Sequence, residues 1–184
     1  GAPFELRAGD CVLQPPTLRH RVLACSGGLE VLELGCPAEH ATRADRGLAL
    51  PNRRGPRKTY GGQRFVRAVS VSAEAAARDE QADADGLVRR DTGVRDATHG
   101  LADVRVARPA CENPVEPASL SSHDADFAFR FVLRGKVTLH VTDERRPWWR
   151  RGRGSTRSIT LAQGDSVAIP AGRSFGLAAP SDDL

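Results

Sequence analysis

Leu6-Arg7-Ala8-Gly9-Asp10-Cys11-Val12-Leu13-Gln14-Pro15-Pro16-Thr17-Leu18-Arg19-His20 and Leu161-Ala162-Gln163-Gly164-Asp165-Ser166-Val167-Ala168-Ile169-Pro170-Ala171-Gly172-Arg173-Ser174-Phe175 are two versions of one pattern. Leu, Gly, Asp, Val and Pro recur in register, Gly164 standing 155 residues after Gly9. The register continues without a gap, with Ala24 against Ala179, Ser26 against Ser181 and Leu29 against Leu184. Self-similarity of this kind marks one supersecondary unit used twice. Each copy reads the same way. Gly-Asp makes a tight turn, because Gly accepts positive φ and Asp bonds to the nearby backbone. A short apolar strand follows, and Pro ends it and opens a second turn. The chain then re-enters a strand, at His20-Arg21-Val22-Leu23 in the first copy.

Outward from the repeat, the two copies are unequally supplied. After Leu29 the first copy continues into Glu30-Val31-Leu32-Glu33-Leu34, a strand pattern, whereas the second stops at Leu184. Before Leu161 lies a strand-rich stretch, but only five residues precede Leu6. The expectation is a chain cut at both ends. Between the copies, 37–62 reads as an irregular connection, Gln63–Ser72 as a strand, Ala73–Asp85 as a short helix or loop, and Val104-Arg105-Val106 as a strand. Phe127-Ala128-Phe129-Arg130-Phe131-Val132-Leu133 alternates strictly, a strong strand signal, and Lys136–Thr142, Ser158–Leu161 and Ser166–Ile169 complete the set. Many short strands separated by Gly and Pro turns predict an all-β sandwich or barrel.

Composition narrows the class. The 184 residues are 40% hydrophobic and 27% charged, as in an ordinary soluble protein. No apolar run approaches the roughly 20 residues of a membrane helix, and Gly1-Ala2-Pro3-Phe4 lacks a basic-then-apolar leader pattern. A cytoplasmic, bacterial protein with no membrane partner is expected. Arg dominates the bases, since Lys58 and Lys136 are the only lysines, a bias that fits a GC-rich genome. A net charge of +4 and a pI near 9.2 permit weak anion binding without indicating nucleic acid. Cys11, Cys25, Cys36 and Cys111 form no C-x-x-C pair, so reduced thiols are expected rather than a zinc knuckle.

The motifs resemble those of the cupin superfamily, whose barrels are jelly rolls, also called double-stranded β-helices. Cupins carry a second motif, G-x5-P-x-G-x2-H. Gly9, Pro15 and His20 fit it with Thr17 in place of Gly, and Gly164, Pro170 and Gly172 fit it with Phe175 in place of His. The distal half of the first motif, G-x5-H-x-H-x3,4-E-x6-G, resembles His123 through Gly135, which puts Ser121 and His123 at the two His positions and Ala128 at the Glu. The resemblance implies a two-domain bicupin: the end of a first barrel over 1–36, a connecting region over 37–103, and a second barrel over 104–184 without its last strand. It implies that 1–35 pairs with an open edge of the second domain or with another chain.

Cupin sites hold Fe, Mn, Zn, Ni or Cu through His and carboxylate. Of the matched positions in the second domain, Ser121, His123, Ala128 and Phe175, only His123 is a metal-ligand type, so no metal is expected there. Phe175 would instead fill the vacated space, a burial worth about 2 kcal/mol. His20 takes the family's His position in the first domain and is the candidate ligand for one divalent transition metal, its partners lying upstream. Arg130 is the candidate pocket residue beside Phe175. If Ala128 faces inward Arg130 does too, and can clamp a carboxylate or phosphate. With the phenylalanines inside, Arg130 would face solvent. The Arg- and Trp-rich stretch Glu144–Arg157, with Trp148 and Trp149, reads as an enlarged hairpin loop rather than a nucleic-acid surface, although arginines beside aromatics can stack bases. The function implied is binding of a small organic molecule, with metal-dependent enzyme activity through the first domain of an intact parent. The alternative is a non-enzymatic sensor or oligomerisation module, and a homodimer is expected in either case.

Overall fold

The computed structural model describes residues 2–41, 43–44, 46–47, 59–70, 87–109, 120–142 and 156–178. Among them are nine strands and one four-residue helix, so the regular structure of the described residues is mostly β. It divides into two compact units, 1–70 with 91–104 and 71–90 with 105–184. None of the described helices is long and apolar enough to cross a membrane. Ala73–Asp85, Cys111 and Trp148-Trp149 fall outside the described residues.

In the first unit the repeat's turn forms as its chemistry dictates. Gly9 adopts φ 84, Asp10 N–H donates to the Arg7 carbonyl at 3.0 Å, and Arg7 N–H donates to Asp10 Oδ2 at 3.0 Å. Strand β1 (Cys11–Leu13) follows and pairs antiparallel with β2 (Val66–Ala68), Cys11 lying opposite Ala68. Asp10 Oδ1 also accepts Ser70 N–H at 2.6 Å. The Arg67 guanidinium donates to the Glu5 carbonyl at 2.7 Å and sits 4.7 Å from the Phe4 ring centroid. β1 therefore finds its partner inside its own unit. The segments His20–Leu23 and Glu30–Leu34, expected as strands, form none, and Val22 and Val31 are each 75% exposed. Their Val and Leu residues give strand potential, but a strand exists only where a neighbour completes its hydrogen bonds. Helix α1 (Val94–Ala97) buries Val94 and Ala97, and Thr98 closes it by donating to the Val94 carbonyl at 2.9 Å.

In the second unit β3 (Leu87–Asp91) pairs with β4 (Arg105–Pro109). The remaining strands are β5 (Ala128–Phe131), β6 (Lys136–Thr142), β7 (Thr156–Ala162), β8 (Ser166–Ile169) and β9 (Ser174–Ala178). Their antiparallel pairings are nested. β6 pairs with β7 from Lys136–Ala162 to Thr142–Thr156, β5 pairs with β8 around that hairpin, and Ser121 bridges Phe175 outside both. β6 also pairs with β9, giving the order β7-β6-β9 beside a two-stranded β5-β8 sheet.

The two sheets enclose one apolar cluster: Val132, Val137, Leu139, Leu161, Ile169 and Phe175, flanked by Ala128, Val141, Ile159, Val167 and Leu177. Leu139, on the central strand, is 0% exposed, and its burial contributes about 2–3 kcal/mol. The alternation of β5 is settled by this cluster. Ala128 and Val132 pack inward, so Arg130 shares their face, while Phe127 is 60% exposed on the other and stacks on Phe129 at 5.9 Å.

The second copy of the repeat reproduces the first in detail. Gly164 adopts φ 85, Asp165 N–H donates to the Ala162 carbonyl at 2.9 Å, and Ala162 N–H donates to Asp165 Oδ2 at 2.8 Å. The second turns agree as well. Leu18 N–H donates to the Pro15 carbonyl at 3.2 Å and Arg173 N–H to the Pro170 carbonyl at 3.3 Å, with Thr17 at φ 68 and Gly172 at φ 72.

Candidate functional site

A row of residues crosses one end of the β7-β6-β9 sheet: Arg157 opposite Val141, Val141 opposite Phe175, and Phe175 opposite Ser121. Directly opposed residues share a face of the sheet. Val141 and Phe175 belong to the enclosed cluster, so Ser121 and Arg157 share their register at the same end, where both are exposed. Position in the repeat explains why Phe175 is there. It is the first apolar residue after the Gly172 turn, where β9 enters the sheet.

His123 is fixed beside it by three contacts. Its ring meets Phe175 edge to face, with centroids 6.1 Å apart and planes at 68°. Its Nε2 lies 2.9 Å from the Ile169 carbonyl oxygen, and its own carbonyl accepts Gly172 N–H at 2.9 Å. A carbonyl only accepts, so Nε2 is the donor in this contact. Nδ1 is buried and has no hydrogen-bond partner among the described residues.

Arg130 approaches from the β5-β8 sheet. Its guanidinium carbon is 5.5 Å from the Phe175 ring centroid, a cation–π distance, and one Nη1–H donates to the Phe129 carbonyl at 3.0 Å. The residue as a whole is exposed, but its guanidinium is partly desolvated. That burial, and secondarily the like charge of Arg89 on β3, lowers its pKa from the ordinary arginine value. The result is a cationic, partly apolar corner.

The structure therefore brings together Phe175, His123 and Arg130 from the sequence candidates, with Ser121 beside them. His20 lies in the first unit, exposed, its Nδ1 3.2 Å from the Leu18 carbonyl oxygen. Among the described residues no group of three or more His, Cys, Asp or Glu could hold a metal ion. The other histidines are tied locally: His40 to the Pro37 carbonyl, His99 to the Gly62 carbonyl and His140 to the Ser158 hydroxyl.

Arg89 and Arg157 escaped the sequence reading. Arg157 was legible in principle, since it keeps the parity of Ile159 and Leu161, the inward residues of β7. Arg89 was not, because β3 carries adjacent Arg89 and Arg90 and no alternation marks its faces. No protein-family model matches the chain, and comparisons with curated proteins and with solved structures give no match.

Proposed function

We propose that the second unit is a jelly roll of the cupin kind that binds a small organic molecule at the end marked by Phe175, His123 and Arg130. The nested pairings support the fold reading. A single long hairpin, β6 with β7 at its tip, β5 with β8 behind and Ser121 with Phe175 behind those, becomes a jelly roll when it is coiled, and the β6–β9 pairing joins successive turns of the coil. The paired turns of the repeat support a bicupin, in which 1–36 would be the end of a first barrel. There His20 would be offered to a divalent Fe, Mn, Zn, Ni or Cu ion, the route to an enzyme activity in a longer parent.

The observation that carries the binding reading is the polar set at one end of an apolar sandwich. His123 and Arg130 flank one aromatic ring, and Nδ1 of His123 is buried without a partner among the described residues. Native proteins rarely bury an unpaired acceptor or desolvate a cation unless something completes them. The test is a protein-observed NMR screen of the whole chain against a library of neutral, cationic and anionic metabolites. Compounds that shift His123 and Phe175 together are expected. A library that moves neither residue refutes the reading.

A second reading, an oligomerisation module, is favoured by the outer face of β5, where Phe127 and Leu133 are largely exposed. Analytical ultracentrifugation distinguishes it: a homodimer broken by Phe127→Asp supports it, and a monomer at all concentrations removes it.

A further inference from the structure

We infer that 20–23, the chain that follows the second turn of the first arch, accepts a β-strand from another polypeptide, one that alternates apolar and polar residues and carries an acidic residue on its polar side. The inference rests on the reading of 1–36 as a barrel end only through the likeness of the two arches, and it is independent of what the second unit binds.

That likeness is geometric. Asp10 and Asp165 close the two first turns with the same pair of bonds, and the Pro15 and Pro170 carbonyls close the two second turns around left-handed Thr17 and Gly172. A constant offset of 155 residues carries His20, Arg21, Val22 and Leu23 onto Phe175, Gly176, Leu177 and Ala178. In the second unit those residues belong to β9 and pair antiparallel with β6, Leu177 lying opposite Leu139. In the first unit no described strand pairs with the same stretch, and it makes no backbone–backbone hydrogen bond among the described residues.

The role of β6 therefore defines the missing neighbour. Phe175 exchanges both of its backbone bonds with Ser121, on the edge away from β6. Bonded and non-bonded pairs alternate along an antiparallel ladder, so Gly176 and Ala178 are the residues that bond to β6. Their counterparts, Arg21 and Leu23, carry the open edge. The side chains show the same vacancy. Val22 is 75% and Leu23 58% exposed, whereas Leu177 packs on the apolar cluster and Ala178 is buried. Leu29, Val31, Leu32 and Leu34, further along, are also half exposed or more. An apolar stretch left open in this way marks a place of association, and strand addition to a free edge completes backbone and side chains together.

The partner's chemistry follows from the two faces of the segment. His20 and Val22 share one face, Arg21 and Leu23 the other. Opposite Val22 the incoming strand needs an apolar side chain, the part Leu139 plays in the second unit. Opposite Arg21, where β6 has His140, a carboxylate fits best, because facing residues of opposite charge stabilise a ladder. β6 itself is not the donor, since both of its edges are already paired.

The test titrates the full chain with two synthetic peptides of the β6 sequence Gly135–Thr142, one unchanged and one with His140→Glu, followed by amide NMR and hydrogen exchange. Both peptides are expected to bind and to slow exchange at Arg21 and Leu23 N–H, leaving His20 and Val22 N–H as before. The Glu peptide should bind about two- to fivefold tighter, the worth of a cross-strand charge pair. Leu139→Asp in the peptide, or Val22→Asp in the chain, should each weaken binding about tenfold or more. Protection of Ser70 N–H shows that the Val22 variant keeps its first unit folded, and the peptide variant needs no such control. No binding at millimolar peptide overturns the inference, as do equal protection of all four amides, a Glu peptide that binds no tighter, or shifts confined to the second unit. Protection of Arg21 and Leu23 in the peptide-free chain that disappears on dilution would give the edge to a second copy and overturn the choice of partner. The likeness of the two arches is judged separately, by the stability of Thr17→Gly and Gly172→Thr, so either can fail without the other.

Discussion

Exchanging the residues at the second turn of the repeat, Gly172→Thr in one variant and Thr17→Gly in another, should move stability in opposite directions. Both positions use the left-handed region, Gly172 at φ 72 and Thr17 at φ 68. For an L-residue that region costs about 1–2 kcal/mol, because Cβ crowds the following carbonyl oxygen, and a β-branched side chain is among the least suited to it. A Cβ added to Gly172 meets nothing within 4 Å, so no packing clash adds to this strain. Against it stands the greater freedom of Gly in the unfolded chain, about 0.5–1 kcal/mol. The balance predicts a loss of about 1 kcal/mol for Gly172→Thr and a gain of similar size for Thr17→Gly. The two units need not unfold together, so each variant is read on its own unit by amide hydrogen exchange. Leu139 reports on the second unit, because β6 is bonded on both sides and its amide lies within the sheet. Ser70 N–H, held by Asp10, reports on the first. One kcal/mol corresponds to about a fivefold change in exchange through opening. Gly172→Thr exchanging no faster than the parent, or Thr17→Gly exchanging faster, would refute the equivalence of the two turns.

Three further outcomes are expected. Leu139→Ala removes the most deeply enclosed side chain among the described residues of the second unit and should cost about 3–5 kcal/mol in urea unfolding. Asp165→Ala loses the bond to Ala162 N–H and should cost about 1 kcal/mol, whereas Asp10→Ala loses bonds to both Arg7 and Ser70 amides and should cost about twice that, each measured by urea unfolding of its own unit. Arg130→Met should leave the ligand-free chain as stable as the parent or more so, because it removes a desolvated cation facing Arg89 while keeping apolar contact with Phe175. The sign follows from the lowered pKa: the folded state disfavours the charged form, so the cost is present at every pH below the folded-state value. Arginine stays protonated throughout the accessible range, and thermal melts should show the same difference between the two proteins at pH 5 and at pH 8.

The turns were legible because their chemistry is local. Gly9 and Gly164 supply positive φ, and Asp10 and Asp165 bond back across the same three residues. The strict alternation of Phe127–Leu133 announced a strand but not its orientation, because both faces carry apolar residues. Only the pairing of Ala128 with Ile169 and Arg130 with Val167 decides it. Glu30–Leu34 shows the limit from the other side. Its apolar residues Val31, Leu32 and Leu34 read as a strand, yet it forms no ladder, since a partner strand is a non-local fact. Helix α1 left no trace in the sequence because one turn is too short to show a helical period. The corner itself was half legible. The motif resemblance pointed to His123 and Phe175, and Arg130 followed only if Ala128 faced inward, but the orphaned Nδ1 depends on where Ile169 presents its carbonyl, which no spacing encodes.

The two copies of the arch also separate what the arch builds from what its neighbours build. His20 and Phe175 occupy the same place in the repeat, three residues after Thr17 and Gly172 of the second turn. In the second copy β6 pairs with that strand, Phe175 opposite Val141 and Leu177 opposite Leu139, and the pairing turns Phe175 inward beneath Arg130. In the first copy the turns are the same, but no described strand pairs with 20–23, and His20 faces solvent. The arch therefore sets where a functional side chain enters, and the adjoining strand sets whether it points into a site. A strand pairing with 20–23 as β6 pairs with β9 would carry His20 and Val22 inward together, on the face that Phe175 and Leu177 occupy in the second unit. The same reasoning makes the corner at Phe175 a property of the whole nested hairpin. His123 arrives on the segment bridged to β9, Arg130 on the strand paired with β8, and Phe175 on β9 itself, so the three meet only when every layer of the hairpin is closed.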